Sequence, residues 1–561
     1  MFVVKVDIAS KQKYIFSSNR LKEIIGASEV IRYVTEGLAK EVLECMNKEH
    51  KNYQDSNDGN VLFEAGGNSM YIFDNEEEAK KFNEIFSRFV IEYFDGLELI
   101  MIIKEFDIKK SNIVGLYEEI EQALTKKKGE RKYQFKRLSY GLTKICPNTR
   151  KPAGYEYNEK DNNGKKKIKY ISKESEDKLR FYDFLYGDNE YYDKQNKIKY
   201  MIGSKDINLK EMKEEFKKRY NIKSGFEFTN ELDIIAGLKN EGSYIGITCI
   251  DGNGMGKKID SFNSGYKEVP EKEIFDSNQR YIKEFRTLTE KIDDHYRRAF
   301  NKILEDLIDN YNDYYEKIGY KEEEKILPIR PIILAGDDIT FISNGKIAID
   351  ITRIFTEEIT KQKEMFGTNK DDEYNLTTSA GIAIVKGNHP FSRAVKLAGA
   401  LEKNSKKKLR TMKLACENQN LEKLEDASFI DWEINRGDTL DDISIIRNKK
   451  LVARPYVVLV PGSNKDKKKI DIHNEELKEI INYNFDNFDI ALKQINESGA
   501  KSNIKSFFRS MNSNEIESEL FYLKYNLKEK FKGDVDPIIL KKVTYDAVDA
   551  MDLYTYVKGE K

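Results

Sequence analysis

The most informative stretch of the sequence is Ile332-Ile333-Leu334-Ala335-Gly336-Asp337-Asp338-Ile339-Thr340-Phe341-Ile342. Its two flanks have the length and the β-branched content of strands. Gly336 and the Asp pair stand where a hairpin turns, because Gly accepts a positive φ and Asp tolerates one. Two acids at an apolar hairpin tip repel each other, and the turn itself needs no second carboxylate. A hard cation such as Mg²⁺, which takes oxygen ligands, explains the pair; a solvated hairpin tip is the alternative.

A second informative stretch is Tyr244-Ile245-Gly246-Ile247-Thr248-Cys249-Ile250-Asp251-Gly252-Asn253-Gly254-Met255-Gly256-Lys257-Lys258. It has the pattern of a buried strand that ends in an acid and enters a Gly-rich turn. Asp251 can therefore meet the hairpin acids in an adjacent strand. The backbone N–H groups of the turn are free to cradle phosphates, and Lys257 adds a positive charge. The spacing matches neither the P-loop nor the usual dinucleotide-binding pattern.

The order of these two stretches is more specific than either one alone. A strand, an Asp and a Gly-rich turn are followed by a long helical segment and then by a strand–Gly-Asp-Asp–strand hairpin. This is the order of a palm-type nucleotidyltransferase. In such a site, two metals held by acids activate a 3′-hydroxyl and stabilise the departing pyrophosphate.

On these motifs the chain resembles the large polymerase/cyclase subunit of type III CRISPR effector complexes, in its short, type III-B-like form. That family carries a Gly-Gly-Asp-Asp hairpin. Here Ala335 replaces the first Gly, and both acids remain. The resemblance extends to Asp7–Phe16, Leu21–Ser28, Ser379–Val385, His389-Pro390 and Arg454-Pro455-Tyr456.

The resemblance implies an α+β fold with two ferredoxin-like palm domains of the cyclase (GGDEF-like) type. The expected divisions are a degenerate first palm at residues 1–140, a charged and irregular linking domain with a zinc-ribbon remnant at 141–242, a catalytic second palm at 243–415, and a helical domain at 416–561. In the second palm we expect helices over about 278–311, 346–363 and 391–408, and a strand over 376–385.

The resemblance also implies an ATP-using nucleotidyltransferase. Asp251 and Asp337 would hold Mg²⁺ or Mn²⁺, and Asp338 would support the second metal or orient the site. Ser379 matches a family Ser that contacts an adenine, and Lys406 matches a family Lys that contacts triphosphate. The expected nucleotide-binding residues are Gly252, Asn253, Gly254, Gly256, Lys257, Gly336, Ser379 and Lys406.

The first 140 residues repeat this order of elements. We expect a helix over 21–46, a hairpin over 61–73, a helix over 76–93 and a strand over 97–103. At the hairpin tip, Gly66-Gly67-Asn68-Ser69 replaces the two acids. Asn and Ser cannot hold Mg²⁺ as a carboxylate pair does, so we expect this palm not to be catalytic. With Asp7, these four residues would form an acceptor pocket; a purely structural repeat is the alternative.

The product and the partners follow from the resemblance alone. Most members of the family join ATP to ATP into cyclic oligoadenylates when target RNA is bound. Some short members are thought to join AMP to S-adenosylmethionine, and the altered first hairpin leaves room for such an acceptor. The expected partners are the other complex subunits, CRISPR RNA and target RNA. The alternatives are a catalytically silent scaffold and a diguanylate-cyclase-like enzyme, although the latter's Gly-Gly-[Asp/Glu]-Glu-Phe signature is absent from the sequence.

Two metal sites of the wider family are not expected. Cys146–Ala153 resembles a zinc-ribbon knuckle, but its cysteine partners are missing, so we expect no zinc. None of His50, His295, His389 and His473 is followed by Asp, so we expect no HD nuclease. Lys165-Lys166-Lys167 is either a solvated loop or an RNA contact.

Composition narrows the remaining classes of protein. The 561 residues suggest three to five domains at roughly 150 residues each. The formal net charge is -1, from 96 basic and 97 acidic residues, which does not indicate a bulk polyanion binder. The four cysteines form no C-x-x-C motif. No apolar run reaches the ~18 residues of a membrane span, and the N-terminus lacks a signal peptide's apolar core, so we expect a cytoplasmic protein without a membrane partner.

Overall fold

The structure is a computed structural model. It describes residues 1–53, 59–65, 68–130, 141–160, 166–186, 201–202, 205–206, 220, 222, 225–237, 243–321, 325–366, 373–417, 426–437, 442–447, 451–460, 475–497, 520 and 537–559. The chain divides into two compact units with a mixed α and β fold. The first comprises Met1–Tyr220, Gly256–Asp294 and Phe366–Asp372; the second comprises Asn221–Met255, His295–Met365 and Glu373–Lys561.

A four-stranded antiparallel sheet organises the first unit. Its strands are β1 (Phe2–Ala9), β2 (Val61–Ala65), β3 (Asn68–Phe73) and β4 (Glu98–Glu105), in the spatial order β2-β3-β1-β4. The central strand β1 is buried from Val3 to Ala9. It is therefore mostly apolar, as expected for a strand covered on both faces, and Lys5 and Asp7 are its buried charged residues.

Helices accompany this sheet. They are α1 (Lys11–Ile15), α2 (Leu21–Arg32), α3 (Leu38–Cys45), α4 (Glu76–Tyr93), α5 (Ile113–Glu130) and α6 (Lys173–Tyr186). The helix expected over 21–46 is interrupted, because a π-helical turn at Tyr33–Gly37 separates α2 from α3. The start of α4 agrees with its sequence signal, since the side chain of Asn75 accepts a hydrogen bond from the N–H of Glu78 at 2.9 Å.

A small insert also belongs to the first unit. Strands β5 (Tyr155–Lys160) and β6 (Lys166–Ile171) form an antiparallel hairpin, and β7 (Met201–Ile202) pairs with β8 (Lys205–Asp206). Cys146, Ile171 and Leu179 form a separate small core between the insert and α6. The sequence analysis expected irregular structure here, and the hairpin and α6 show that it is partly regular.

A six-stranded sheet organises the second unit. Its strands are β10 (Tyr244–Gly252), β12 (Ile329–Ala335), β13 (Asp338–Asn344), β16 (Thr378–Lys386), β17 (Ala427–Asn435) and β18 (Tyr456–Leu459), in the order β12-β13-β10-β16-β17-β18. The first four in chain order repeat the pairing of β1 to β4. The minor strands in this part of the chain are β9 (Glu227–Phe228), β11 (Ile326–Leu327), β14 (Lys363–Met365) and β15 (Glu373–Asn375).

Three of the remaining helices were expected over 278–311, 346–363 and 391–408; the first two lie close to these ranges, and the third continues to Glu417. The remaining helices are α7 (Leu232–Ile235), α8 (Met255–Ser264), α9 (Ile274–Asp309), α10 (Tyr311–Ile318), α11 (Ala348–Thr360), α12 (Phe391–Glu417), α13 (Ile443–Ile446), α14 (Glu475–Asn482), α15 (Phe485–Glu497) and α16 (Pro537–Ala550), with a 3₁₀ turn at Glu271–Glu273. No helix in the described part of the chain is long and apolar enough to cross a membrane.

The large sheet continues past residue 415, where the sequence analysis expected a boundary. β17 pairs in parallel with β16, and α12 provides the crossover that a parallel pair requires. Trp432 is therefore a fully buried residue of the sheet. The C-terminal helix α16 is tied to the same region, since Asp546 accepts hydrogen bonds from the N–H groups of Ala453 and Arg454.

Candidate active site

The acids of the second unit meet where β10 ends beside the hairpin of β12 and β13. Ile250 is in register with Ile339, so the next residue of β10, Asp251, lies beside Asp338. At the hairpin tip, Ala335 is in register with Asp338, and Gly336 adopts a positive φ of 61°. The left-handed conformation suits Gly and makes the tight turn possible. The structure thus brings the two acidic stretches of the sequence together.

Asp337 carries the clearest electrostatic signature of the site. Burial, together with the nearby carboxylates of Asp251 and Asp338, raises its pKa to about 7, although a backbone hydrogen bond and Lys406 oppose the shift. Like charges in one place disfavour ionisation unless a cation compensates them. The three acids therefore form a site with excess negative charge, as a cation-binding site requires.

Lys406 reaches this cluster from α12. Its ammonium group donates a hydrogen bond to Asp251 and lies 2.9 Å from the Oε1 atom of Glu402. Burial lowers the pKa of Lys406, but the hydrogen bonds to Asp251 and Glu402 outweigh this effect and raise it. Glu402 was missed by the sequence analysis. Its signal is the spacing of four residues from Lys406, which places both side chains on one helix face.

Gly252 is required by close packing at the end of β10. A Cβ atom on this residue would lie 2.6 Å from the hydroxyl of Tyr296 and 2.9 Å from the Oδ2 atom of Asp337. Any larger residue would therefore displace one of these side chains. The predicted importance of Gly252 has a local physical reason, which is the approach of Asp337 to the backbone.

Asn253 and Ser379 engage each other in the structure. The Ser379 hydroxyl is buried and donates a hydrogen bond to Asn253 Oδ1 at 2.8 Å. The Asn253 N–H donates to the carbonyl of Thr377 at 2.8 Å, and its side-chain amide donates to the carbonyl of Ala427 at 3.2 Å. Both residues thus anchor the turn after β10 to the sheet, a structural role that the sequence analysis did not assign to them.

The remaining turn residues lie at the start of α8. Gly254 has a positive φ of 68°, and no atom lies within 4 Å of a Cβ built on it. Gly256 is also open, and Lys257 is exposed. Gly256 and Lys257 belong to the first unit, whereas Asp251 and Gly254 belong to the second. Their part in a phosphate cradle stays a prediction.

In the first unit, Asp7 occupies the position that Asp251 has in the second. Asp7 is in register with Asn68, and Asn68 is in register with Ala65. The carboxylate of Asp7 lies 2.8 Å from the ammonium group of Lys128, which α5 contributes. Lys128 therefore contacts the carboxylate of Asp7 in the first unit as Lys406 contacts that of Asp251 in the second. The sequence analysis did not single out Lys128.

These registers correct the comparison of the two hairpins. Ala65 and Asn68 pair as Ala335 and Asp338 do, so Asn68 corresponds to Asp338. Ser69 then corresponds to Ile339, one residue beyond the acids, and it is fully buried. The sequence comparison had assigned Asn68 and Ser69 to the acidic positions. Gly66 and Gly67 lie outside the described residues. By sequence count, Gly67 corresponds to Asp337.

The acids of this site offer a cation several oxygen donors. Among the described residues, no group of three or more His, Cys, Asp and Glu side chains is arranged to hold a metal ion by itself. The carboxylates of Asp251, Asp337 and Asp338 nonetheless offer hard oxygen donors with excess negative charge, which suits Mg²⁺ or Mn²⁺. Phosphate oxygens of a bound nucleotide would complete the coordination, as is usual for Mg²⁺.

Cys146, His50 and His295 have ordinary protein partners. The buried Cys146 thiol lies 3.5 Å from the hydroxyl of Ser175. The Nε2 atom of His50 lies 2.9 Å from Glu64, and that of His295 lies 3.1 Å from Glu364. His473 lies outside the described residues, as does Lys165 of the Lys run. The absence of zinc and of a nuclease stays a prediction.

One protein-family model matches part of the chain. Residues 244–414 match the family model described as Cas10/Cmr2, second palm domain. The match covers less than a third of the chain, and it includes the β10 acid, the hairpin acids and Lys406. The resemblance predicted from the sequence motifs is confirmed for this region. A search of curated proteins finds no match.

Solved structures give a distant likeness over nearly the whole chain. A Csm1-Csm4 cassette in complex with one ATP is 12% identical, with a TM-score of 0.49, and covers 99% of this chain and 70% of that one. A Csm1-Csm4 cassette in complex with pppApA is 12% identical, with a TM-score of 0.49. The match covers 98% of this chain and 69% of that one. A Csm1-Csm4 subcomplex of the type III-A interference complex is 12% identical, with a TM-score of 0.46. The match covers 98% of this chain and 70% of that one.

Proposed function

We propose, from the Cas10/Cmr2-type second palm domain that the chain carries, that it is an ATP-using, Mg²⁺-dependent nucleotidyltransferase subunit of a type III CRISPR effector complex. The observation that supports the proposal best is the convergence of Asp251, Asp337 and Asp338 with Lys406 at one edge of the large sheet. A solvated hairpin tip would not need two further charged residues from other elements.

Each residue has a role in this proposal. Asp251 and Asp337 would hold the cation, and Asp338 would support the second metal or orient the site. When bound, the cation supplies charge neutralisation for the triphosphate and activates the attacking hydroxyl. Lys406 would contact the triphosphate, because its ammonium group already reaches the same carboxylate that would hold the cation. The open turn at Gly254 would leave backbone N–H groups for the phosphates.

The first sheet is proposed to be a second, degenerate palm. It repeats the strand pairing of β10, β12, β13 and β16, and Lys128 contacts Asp7 as Lys406 contacts Asp251. Asn68 replaces an acid there, so a divalent cation is held less strongly. We propose that Asp7, Asn68 and Lys128 bind the acceptor, while Asp251 and Asp337 bind the triphosphate donor.

The product is proposed to be an adenylate second messenger made when target RNA is bound. Two acceptors are consistent with the degenerate first sheet: a second ATP, which leads to cyclic oligoadenylates, and S-adenosylmethionine, which leads to an AMP adduct. CRISPR RNA, target RNA and the other complex subunits are the proposed partners. The structures of Csm1 with Csm4, although remote, are of an assembly of this kind.

The proposal is tested by identifying the product. The purified assembly would be incubated with labelled ATP, Mg²⁺ and target RNA, with and without S-adenosylmethionine, and the products analysed by mass spectrometry. We expect oligoadenylates or an AMP–S-adenosylmethionine adduct that depend on target RNA. Complete recovery of ATP under all conditions would favour a silent scaffold, and a cyclic product from labelled GTP would favour a diguanylate-cyclase-like enzyme.

A further inference from the structure

The buried hydroxyl of Tyr296 has no hydrogen-bond partner in the part of the chain that the structure describes. Tyr296 is 1% exposed, and its oxygen has no hydrogen-bond partner among the described residues. Buried hydroxyls are normally hydrogen-bonded, because removing one from water without a partner is unfavourable. An unpartnered buried hydroxyl therefore needs an explanation, and one is a hydrogen bond that forms only when the site is occupied.

The position of this hydroxyl points to the acids. A Cβ on Gly252 would lie 2.6 Å from the Tyr296 oxygen, 2.8 Å from Asp337 Cβ and 2.9 Å from Asp337 Oδ2. The phenol and the Asp337 carboxylate thus approach the same point at the end of β10, directly after Asp251. The Tyr296 oxygen and Asp337 Oδ2 are therefore at most about 5.5 Å apart, the sum of 2.6 Å and 2.9 Å.

The ring of Tyr296 is held firmly, so its hydroxyl cannot easily turn away. Tyr296, Ala299, Phe300 and Ile303 form a buried stripe at helical spacing on α9. The ring centroids of Tyr296 and Phe355 are 6.3 Å apart. Those of Phe300 and of Phe341 on β13 are 5.9 Å apart. The strand that begins with Asp338 and the helix that carries Tyr296 are thereby packed together.

We propose that Tyr296 is a positioning residue that donates a hydrogen bond to the carboxylate of Asp337 when a cation occupies the site. This inference rests on the proposed function and extends it to a residue outside the acidic motifs. Carboxylates that bind metals are themselves commonly hydrogen-bonded, and such partners fix the orientation of the ligand. A phenol is suited to the role, because it is protonated at neutral pH and donates one hydrogen bond.

The test is Tyr296→Phe in the full chain, which keeps the ring and removes the hydroxyl. Titration with Mn²⁺ alone, followed by electron paramagnetic resonance, should show affinity about tenfold or more below that of the wild type. In the nucleotide assay, kcat should fall while KM for ATP changes little. Asp337→Asn is the positive control for lost Mn²⁺ binding. Tyr314→Phe is the matched control, because that buried hydroxyl donates to the carbonyl of Leu307 at 2.9 Å.

A purely structural role predicts the opposite result. If the hydroxyl only packs, then removing an unpartnered buried group should leave Mn²⁺ affinity and kcat unchanged and should not lower the melting temperature. That outcome would overturn the inference, as would a wild type that binds no Mn²⁺. If the wild type binds Mn²⁺ through Asp337 but forms no product, the proposed function is refuted instead. The difference in Mn²⁺ affinity between the wild type and Tyr296→Phe would still decide the role of Tyr296.

Discussion

The ammonium group of Lys406 donates a hydrogen bond to the carboxylate of Asp251. Asp251 is also a proposed cation ligand, and Lys406 is the proposed contact for the triphosphate. In the proposed function, a lysine and a divalent cation would therefore compete for one carboxylate until a nucleotide binds. Binding of the nucleotide would draw Lys406 from Asp251 to the phosphates and leave the carboxylate to the cation.

Lys406→Met should therefore change two affinities in opposite directions. Without nucleotide, Mn²⁺ should bind about tenfold more tightly, an effect of about 1.4 kcal/mol, because a competing positive charge is removed. With nucleotide, KM for ATP should rise, because a phosphate contact is lost. Calorimetric Mn²⁺ titration and steady-state kinetics measure the two effects. Lys407→Met is the matched control, because Lys407 is exposed on the same helix. Weaker Mn²⁺ binding in Lys406→Met would contradict this competition.

The pKa of Asp337 predicts a pH dependence of cation binding. Burial and the neighbouring acids raise this pKa from 3.8 to about 7 in the metal-free protein. A cation needs the ionised carboxylate, so Mn²⁺ affinity should fall about tenfold for each pH unit below about 7 and level off above it. In Asp337→Asn the affinity should be low, with no step near pH 7. A wild-type affinity that is flat from pH 5 to pH 8 would contradict the assignment.

The same shift predicts how pH affects stability without metal. The folded state keeps a proton on Asp337 in the interval between about 4 and 7, where the unfolded chain has released it. The free energy of unfolding should therefore decrease as the pH rises through this interval. Asp337→Asn should remove that part of the decrease, which urea denaturation of the metal-free protein at several pH values would measure.

The registers of the two sheets lead to a prediction about the acceptor. Asn68 corresponds to Asp338, whereas Ser69 corresponds to Ile339. Asn68→Ala should raise KM for the acceptor and leave turnover at saturating acceptor close to that of the wild type. Ser69→Ala should leave both close to wild type, because that buried hydroxyl is one residue away from the acidic positions. Asp251→Asn should suppress turnover itself.

Two results would overturn this division between the sheets. One is a loss of turnover at saturating acceptor in Asn68→Ala that is as severe as in Asp251→Asn, with no change in acceptor affinity. The other is a larger effect of Ser69→Ala than of Asn68→Ala on acceptor affinity. Melting temperatures of the three variants would separate these effects from unfolding.

The sequence predicted the parts of the site that local patterns encode. The hairpin of Asp337 and Asp338 and the strand ending at Asp251 are marked by apolar runs, Gly and paired acids. These signals are confined to a few neighbouring residues. Lys406 was predicted by resemblance, and the structure places it at Asp251.

Tertiary packing determined the parts that the sequence did not predict. Tyr296 lies in a helix of 36 residues with no local feature that distinguishes its hydroxyl. The one-residue difference at Ser69 depends on strand register, which apolar residues on both sides of the hairpin leave ambiguous. The parallel pairing of β17 with β16 was missed because the long helix α12 separates the two strands in the sequence.

The double variant Asp337→Ala/Asp338→Ala tests the central claim most directly. Nucleotide product from labelled ATP and Mg²⁺, in the complex with target RNA, should be lost. Assembly should be kept and the melting temperature should not fall, because hairpin-tip acids contribute little to the core and repel each other. Wild-type turnover in this variant would contradict the assignment of the active site.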